Sequence, residues 1–271
     1  MANRLKKCIL KLVSESQSAF MSDRLISNNI LIAFETLHHL KNRKKGKTGY
    51  MALKLDMSKA YDRIEWNFLE KLMEKLGFAN KWINLISSCI QSVSFSVMIN
   101  GEPHGLFHPQ RGLRQGDPLS PYLFLLCAEG LHSLIKQAEV RGAIQGVSLC
   151  RDGPKITHLF FANDSLLFCK ANDQDCTMVM EILEAYERAS GSALIGTKLN
   201  SILAPTPTIM CKQQSRIGWG YPVLPNLRNI LVSLLLLVEQ RNKASIISVK
   251  GFGIKSNGGK RNSFLKQAKR Y

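Results

Sequence analysis

Acidic residues are almost absent from the end of this chain. Residues 192–271 hold 13 Lys and Arg but a single acid, Glu239, whereas residues 1–191 hold 24 basic and 19 acidic residues. The formal net charge of +17 over 271 residues therefore lies mostly in the tail. A strongly basic chain is typical of proteins that bind nucleic acid. Here the charge indicates such a partner for the tail more than for the body.

Cysteine pairs and long apolar runs are also missing. The seven cysteines include no Cys-x-x-Cys pair and no regular spacing, which favours free thiols in a reducing, intracellular compartment, nucleus or cytoplasm. The apolar run at residues 230–238 has nine residues, and a bilayer needs about 20. The sequence therefore predicts no membrane partner, and no pattern in it indicates a protein partner.

The order of the predicted elements favours a mixed α+β fold. Asn100–Gly101 predicts a tight two-residue hairpin turn. Asn163 and Asp164 lie in a second predicted turn, which covers residues 162–165. Periodicity and capping residues predict helices over residues 24–40, 66–76, 82–90, 118–137 and 173–189, and strands over residues 50–56, 93–99, 156–161 and 166–168.

Three segments carry residues suited to chemistry. In the first motif, KLDMSKAYDRIEW, a predicted strand ends at Asp56, where a carboxylate would lie at the edge of a sheet. Taken alone, this segment favours the simpler interpretation that Asp56 or Ser58 caps a following helix. In the third motif, HLFFANDSLLF, two apolar strands flank a turn that holds Asn163 and Asp164. As an isolated hairpin, this turn is ordinary.

The second motif, RGLRQGDPLSPYLF, predicts the start of a helix. Asp117 is expected to be its N-cap and Pro118 its first residue. A helix N-terminus presents backbone N–H groups to anions. Arg111 and Arg114 add positive charge at the same end.

The three motifs, in this order, resemble the palm motifs of reverse transcriptases, and above all those of plant non-LTR (LINE-type) retrotransposons. The stretch SESQSAFMSDRLISNNILIAFETLHHLK resembles the fingers segment of that family. The resemblance implies partial fingers over residues 1–48 and a right-hand polymerase palm over residues 49–191, with an antiparallel sheet and packed helices.

This resemblance also implies a chemistry and a set of roles. Two Mg²⁺ ions would align a DNA primer with an incoming dNTP on an RNA template. Tyr61 matches the aromatic residue that excludes a ribose 2′-hydroxyl. The expected catalytic residues are Asp56, Asn163 and Asp164, the metal ligands are Asp56 and Asp164, and the substrate-binding residues are Tyr61, Arg114, Gln115 and Gly116.

Asn163 departs from the family pattern, which has Asp in its place. Asn is nearly the same shape but neutral, and it suits a turn, so the fold should tolerate the change. Losing one negative charge from a two-cation site costs about 3–5 kcal/mol of transition-state stabilisation, or roughly 10²–10⁴ in rate.

The tail departs further. After Gly191 the resemblance is expected to end, and a shifted reading of synonymous codons produces three ordered stretches that resemble the family's continuation. We therefore expect an out-of-frame tail over residues 192–271, poorly structured apart from one helix near residues 231–242. The family's endonuclease and thumb are expected to be missing. Three interpretations remain: a weakened polymerase, a non-catalytic nucleic-acid-binding remnant, and a fossil reading frame without a selected function.

Overall fold

The computed structural model describes residues 1–43, 49–151 and 153–194, and the backbone of residues 200–203. The helix expected near residues 231–242 lies outside the described residues, as does most of the tail. Six cysteines fall within the described part, and all six are free thiols. None of the helices described there is both long and apolar enough to cross a membrane.

Six helices are described, and five of them overlap the predicted ones. The first helix was not predicted; it buries Leu5 and Ile9 and packs against the long fifth helix. The helices are α1 (Ala2–Leu12), α2 (Ile26–Asn42), α3 (Trp66–Lys75), α4 (Asn80–Gln91), α5 (Ser120–Val140) and α6 (Asp173–Ser190).

Nine strands are described, and most are short. Every strand pair in them is antiparallel. The strands are β1 (Tyr50–Ser58), β2 (Phe95–Ile99), β3 (Glu102–Phe107), β4 (Val147–Ser148), β5 (Lys155–Ile156), β6 (His158–Phe161), β7 (Asp164–Lys170), β8 (Ala193–Leu194) and β9 (Asn200–Leu203).

The main sheet has β1 at its centre. Its order is β6-β7-β1-β8, and β9 also pairs with β1. All four residues of β6 are buried, as are nearly all residues of β7. A strand covered on both faces reads as a continuous apolar run, which is why HLFF and LLF lack alternation. The predicted α+β class, with an antiparallel sheet and packed helices, is confirmed.

Helix α5 forms the centre of the helical layer. Most of its residues are buried, and it packs against α3 and α6. The Tyr186 hydroxyl of α6 donates a hydrogen bond to the Cys127 carbonyl of α5 at 3.2 Å. Phe68 of α3 meets the Tyr186 ring edge-on at 5.9 Å. These contacts join α3, α5 and α6 to the core that includes Leu53 and Leu55 of β1.

The sheet continues beyond the expected end of the palm. Gly191 ends α6 with a φ of +72°, and a Cβ there would lie 2.6 Å from the Arg63 carbonyl oxygen. After this cap, β8 and β9 both pair with β1. The end of the sheet therefore does not coincide with Gly191. Pairing along an open sheet edge uses backbone groups, so many sequences can occupy it.

Candidate active site

The sheet brings the third motif next to the start of the first. The register of β1 and β7 places Asp56 directly opposite Asp164. The backbone N–H of Met57 donates to the carbonyl oxygen of Asn163 at 3.2 Å. Asp56, Asn163 and Asp164 therefore lie together at one edge of the sheet, and the predicted juxtaposition of their backbones is confirmed. Their roles as catalytic residues and metal ligands stay predictions.

The turn between β6 and β7 is shorter than predicted. Phe161 pairs with Asp164, so Ala162 and Asn163 alone form the turn, and the expected four-residue turn is wrong. Ala162 has a φ of +56°. A positive φ at only the first of two turn residues is characteristic of type II′ turns, where glycine is usual. Tertiary contacts must therefore support this backbone.

A buried lysine lies beside Asp164. The Lys54 ammonium is 3.5 Å from Asp164 Oδ1, and the two side chains are only 10% and 8% exposed. Lys54 precedes Asp56 by two residues on β1, and side chains two apart on a strand share a face. Lys54 was not predicted as a site residue, although the two-residue strand period in KLD places it on the same face as Asp56.

The second motif is joined to the turn that follows β1. The N–H of Gly112 donates to the Ile64 carbonyl at 2.8 Å, and the N–H of Leu113 donates to the Tyr61 carbonyl at 2.8 Å. Trp66 Nε1 donates to the Gly112 carbonyl at 2.8 Å. Gly112 has a φ of +92°, and a Cβ there would lie 2.7 Å from the Asp62 carbonyl oxygen. This position therefore requires glycine.

These backbone bonds bring the predicted substrate-binding residues together. Gln115 Nε2 donates to Asp62 Oδ1 at 3.3 Å, which places Gln115 next to the segment that carries Tyr61. The Tyr61 ring stacks on Phe124 with centroids 5.2 Å apart. Gly116 has a φ of +83°, so it shapes the loop between Gln115 and α5.

Asp117 is not the N-cap of α5, because the helix begins at Ser120 and Leu119 occupies the cap. Pro in the first turn is Pro121 rather than Pro118. Asp117 Oδ1 accepts a hydrogen bond from the Leu119 N–H at 2.8 Å, and Asp117 Oδ2 accepts one from Arg114 at 2.7 Å. Partial burial acts to raise the pKa of Asp117, but these two partners hold it below its ordinary value.

The oxygen atoms at this edge could bind a divalent cation, but with lower affinity than a site whose turn carries two acids. Asp56 and Asp164 supply carboxylates and Asn163 an amide, and hard cations prefer such oxygen ligands. Within the described residues, no cluster of three or more His, Cys, Asp or Glu side chains could hold a metal ion. Lys54 and the neutral Asn163 leave less negative charge than a turn with two acids would provide.

A family model for reverse transcriptase (RNA-dependent DNA polymerase) matches residues 1–218. The chain belongs to the reverse transcriptase family. Members of this family generally use divalent metal ions, in agreement with the carboxylate and amide oxygens at the sheet edge. The matched residues extend past Gly191, and the out-of-frame tail expected after Gly191 stays a prediction.

Relatives of this reverse transcriptase domain include retrotransposon proteins. An uncharacterized mitochondrial protein of Arabidopsis thaliana is 53% identical over 68 residues, which cover 25% of this chain and 56% of the relative. A retrovirus-related Pol polyprotein from the type-1 retrotransposable element R2 of Popillia japonica is 31% identical over 170 residues, or 62% of this chain and 27% of the relative. A 149 kDa protein of transposon TX1 from Xenopus laevis is 25% identical, over 74% of this chain and 15% of the relative.

The chain thus spans about half the length of the first relative and about a quarter or less of the other two. The R2 and TX1 relatives support the predicted place among non-LTR retrotransposon reverse transcriptases. Two solved telomerase structures share the fold. Truncated apo telomerase from Candida tropicalis has a TM-score of 0.53 at 16% identity, over 76% of this chain and 41% of that one. Candida albicans telomerase with a telomeric RNA fragment scores 0.51 at 17% identity, over 76% and 34%.

Proposed function

We propose that this domain catalyses, or descends from a domain that catalysed, RNA-templated addition of dNTPs to a DNA primer in a plant LINE-type retroelement. The observation that carries the proposal is the register that sets Asp56 opposite Asp164 beside the Ala162–Asn163 turn. The plant assignment is supported by the similarity to the Arabidopsis thaliana protein. Palm function belongs to residues 49–191 in this proposal.

Asp56 and Asp164 are the residues that would hold two Mg²⁺ ions. Bound Mg²⁺ would stabilise the charge that develops on the attacking and leaving oxygens during nucleotidyl transfer. The ion pair between Lys54 and Asp164 would hold that carboxylate in place. Because Lys54 also neutralises part of its charge, the affinity for the second ion depends strongly on residue 163.

The second motif and Tyr61 would bind the nucleotide and the template. The Phe124 ring stacks on the Tyr61 ring and would hold it in place. A Tyr61 ring held in this way would exclude a ribose 2′-hydroxyl. Gln115 and Gly116 lie in the loop before α5 and would contact the nucleotide and template. Arg114 would contact phosphate, and its hydrogen bond to Asp117 fixes the direction of its guanidinium group.

Asn163 is expected to reduce catalysis without disturbing the fold. The hydrogen bond from the Met57 N–H is accepted by the backbone carbonyl of Asn163. Any residue 163 that is suited to the turn therefore preserves this bond. The missing negative charge costs about 3–5 kcal/mol of transition-state stabilisation, which corresponds to roughly 10²–10⁴ in rate.

Primer extension on an RNA template with Mg²⁺ tests this proposal. The unmodified chain should extend the primer barely or not at all, and Asn163→Asp should raise the rate by roughly 10²–10⁴. Adding Asp56→Asn to that variant is the matched control and should abolish the gain. Robust extension by the unmodified chain would contradict the role given to Asn163.

A binding measurement separates loss of chemistry from loss of substrate. Template–primer binding should be equally strong in the unmodified chain and in Asn163→Asp, and it should weaken steeply with salt. If the template–primer binds and Asn163→Asp still gives no extension, the domain is a binding remnant, and the proposed catalysis fails.

A further inference from the structure

The turn that carries Asn163 is held from outside the sheet, by the segment between α1 and α2. Gln17 in this segment is fully buried. Its Oε1 accepts a hydrogen bond from the backbone N–H of Ala162 at 3.1 Å and a second from the N–H of Ala19 at 2.9 Å. Gln17 therefore links this segment directly to the residue before Asn163.

Backbone bonds fix the position of Gln17 relative to β6. The N–H of Phe160 donates to the Ser16 carbonyl at 2.8 Å, and the N–H of Ser18 donates to the Phe160 carbonyl at 3.3 Å. Asn29 Nδ2 adds a hydrogen bond to the Ser16 carbonyl at 2.7 Å. The segment thus forms a parallel bridge with β6, and this bridge places the amide of Gln17 beside the turn.

Ala162 is the residue that needs this support. Its φ of +56° lies in the left-handed region, which is unfavourable for residues with a Cβ. The second bond of the turn comes from the opposite side, where the Met57 N–H donates to the Asn163 carbonyl. Gln17 and Met57 therefore hold the two turn residues from both sides.

The two polar atoms of the Gln17 amide differ in their hydrogen bonding. Gln17 Nε2 is buried and has no hydrogen-bond partner among the described residues. A buried donor without a partner costs free energy, so packing alone would favour an apolar side chain here. What distinguishes Gln17 from such a side chain is its carbonyl oxygen, which accepts from Ala162 and Ala19.

We propose that Gln17 is a positioning residue for the active site, acting through Ala162 on the placement of Asn163 and Asp164. The segment between α1 and α2 thereby becomes part of the site's support. This inference rests on the proposed function, because it assigns Gln17 to the metal-binding edge formed by Asp56 and Asp164.

Hydrogen exchange of the Ala162 amide, measured by NMR on the full chain, tests the bond without any metal. Gln17→Met keeps the length of the side chain and removes the acceptor, so exchange at Ala162 should accelerate by about five- to tenfold. Gln17→Glu keeps an acceptor in the same place and should retain the protection. Ser18→Ala removes a neighbouring buried hydroxyl that lacks a partner and should change exchange by less than about twofold.

Binding of Mn²⁺, followed by its EPR signal, tests the consequence for the site. Gln17→Met should weaken Mn²⁺ binding by about fivefold, whereas Gln17→Glu and Ser18→Ala should not weaken it. Glycine adopts a positive φ without strain, so adding Ala162→Gly to Gln17→Met should restore the affinity. A role confined to packing would not respond to Ala162→Gly.

Unchanged Ala162 exchange and unchanged Mn²⁺ affinity in Gln17→Met would overturn the proposal. If Gln17→Met does not fold, the double variant with Ala162→Gly decides: recovery of the fold supports the proposal, and a second failure overturns it. If the unmodified chain binds no Mn²⁺, the proposed function fails. Exchange at Ala162 then decides the positioning role by itself.

Discussion

Two hairpins of this chain close with two-residue turns by different means. In the β2–β3 hairpin, Asn100 and Gly101 both have a positive φ, at +53° and +89°, and both are residue types that accept this conformation. In the β6–β7 hairpin, Ala162 has a φ of +56° although its Cβ disfavours it.

The surroundings of the two hairpins differ in the same way. Every residue of β2 and β3 is exposed, whereas β6 is fully buried. The turn that follows β6 forms hydrogen bonds with Gln17 and Met57. Local turn chemistry therefore suffices for the first hairpin, and tertiary contacts hold the second. The candidate site lies where local preference and tertiary structure disagree, as expected of functional sites.

The largest expected difference in stability between the hairpins comes from the buried ion pair between Lys54 and Asp164, the first residue of β7. Lys54→Met leaves Asp164 buried without its ammonium partner, so the free energy of unfolding should fall by about 3–5 kcal/mol. Urea denaturation followed by circular dichroism measures this. Adding Asp164→Asn should recover part of the loss. Glu102→Gln, which removes an exposed partner of His104, is the control and should stay within about 0.5 kcal/mol. A loss below about 1 kcal/mol for Lys54→Met would show that the pair is well solvated.

The next effect concerns pH. Burial, aided by the charges of His132 and Lys136, lowers the pKa of His158 at the start of β6 to about 3. The pKa of His158 in the folded state lies below the unfolded value of about 6.5. The contribution of neutral His158 to the free energy of unfolding is therefore complete above pH 6.5 and is lost as the pH falls towards 3.

In the variant His158→Gln, residue 158 cannot titrate, so the free energy of unfolding should fall less steeply with decreasing pH below 6.5 (the acid limb of the stability curve). Relative to the unmodified chain, it should lose about 2 kcal/mol less between pH 6.5 and pH 5, as measured by urea denaturation at each pH. His104→Gln on the exposed β3 strand should leave the limb unchanged. An equal effect of both substitutions would remove the distinction between the hairpins.

A smaller effect concerns the turns. Ala162→Gly should raise the free energy of unfolding by about 0.5–1 kcal/mol, because glycine removes the strain of the positive φ. Gly101→Ala introduces similar strain in the exposed hairpin. It should accelerate amide exchange across β2–β3 by about fivefold while global stability changes by less than about 0.5 kcal/mol. Global destabilisation by Gly101→Ala would show that this hairpin is coupled to the core.

The smallest effect is expected on the exposed apolar side chains of β2. Met98 is 63% exposed, so Met98→Thr should change the free energy of unfolding by less than about 0.5 kcal/mol. Thermal denaturation measures this directly. Leu167→Thr on the buried β7 strand is the contrasting variant and should lose about 2–4 kcal/mol. Comparable losses in both variants would contradict the exposure of β2.

Some of the candidate site could be predicted from the sequence, and the misses have physical causes. The three motifs correctly predicted that Asp56, Asn163 and Asp164 share one edge. The cap of α5 was misplaced, because Asp117 binds Leu119 and Arg114 in a loop instead of starting the helix. Lys54 was missed because a lysine in a strand usually faces solvent, and only the neighbouring strand makes its burial favourable.

The sequence by itself determined the features that depend on near neighbours. The Asn100–Gly101 turn and the end of α6 at Gly191 follow from φ preferences of single residues. Asn163, the departure from the family's acid, is likewise visible in the sequence alone.

Only the tertiary structure decided which distant groups support the site. Gln17 and Ala162 are separated by 145 residues, and no local pattern indicates that an amide in one segment accepts from the turn of another. The positive φ of Ala162 opposes the preference of the residue itself. It persists because the sheet register and the Gln17 and Met57 hydrogen bonds fix the turn on both sides, and these contacts exist only after the chain has folded.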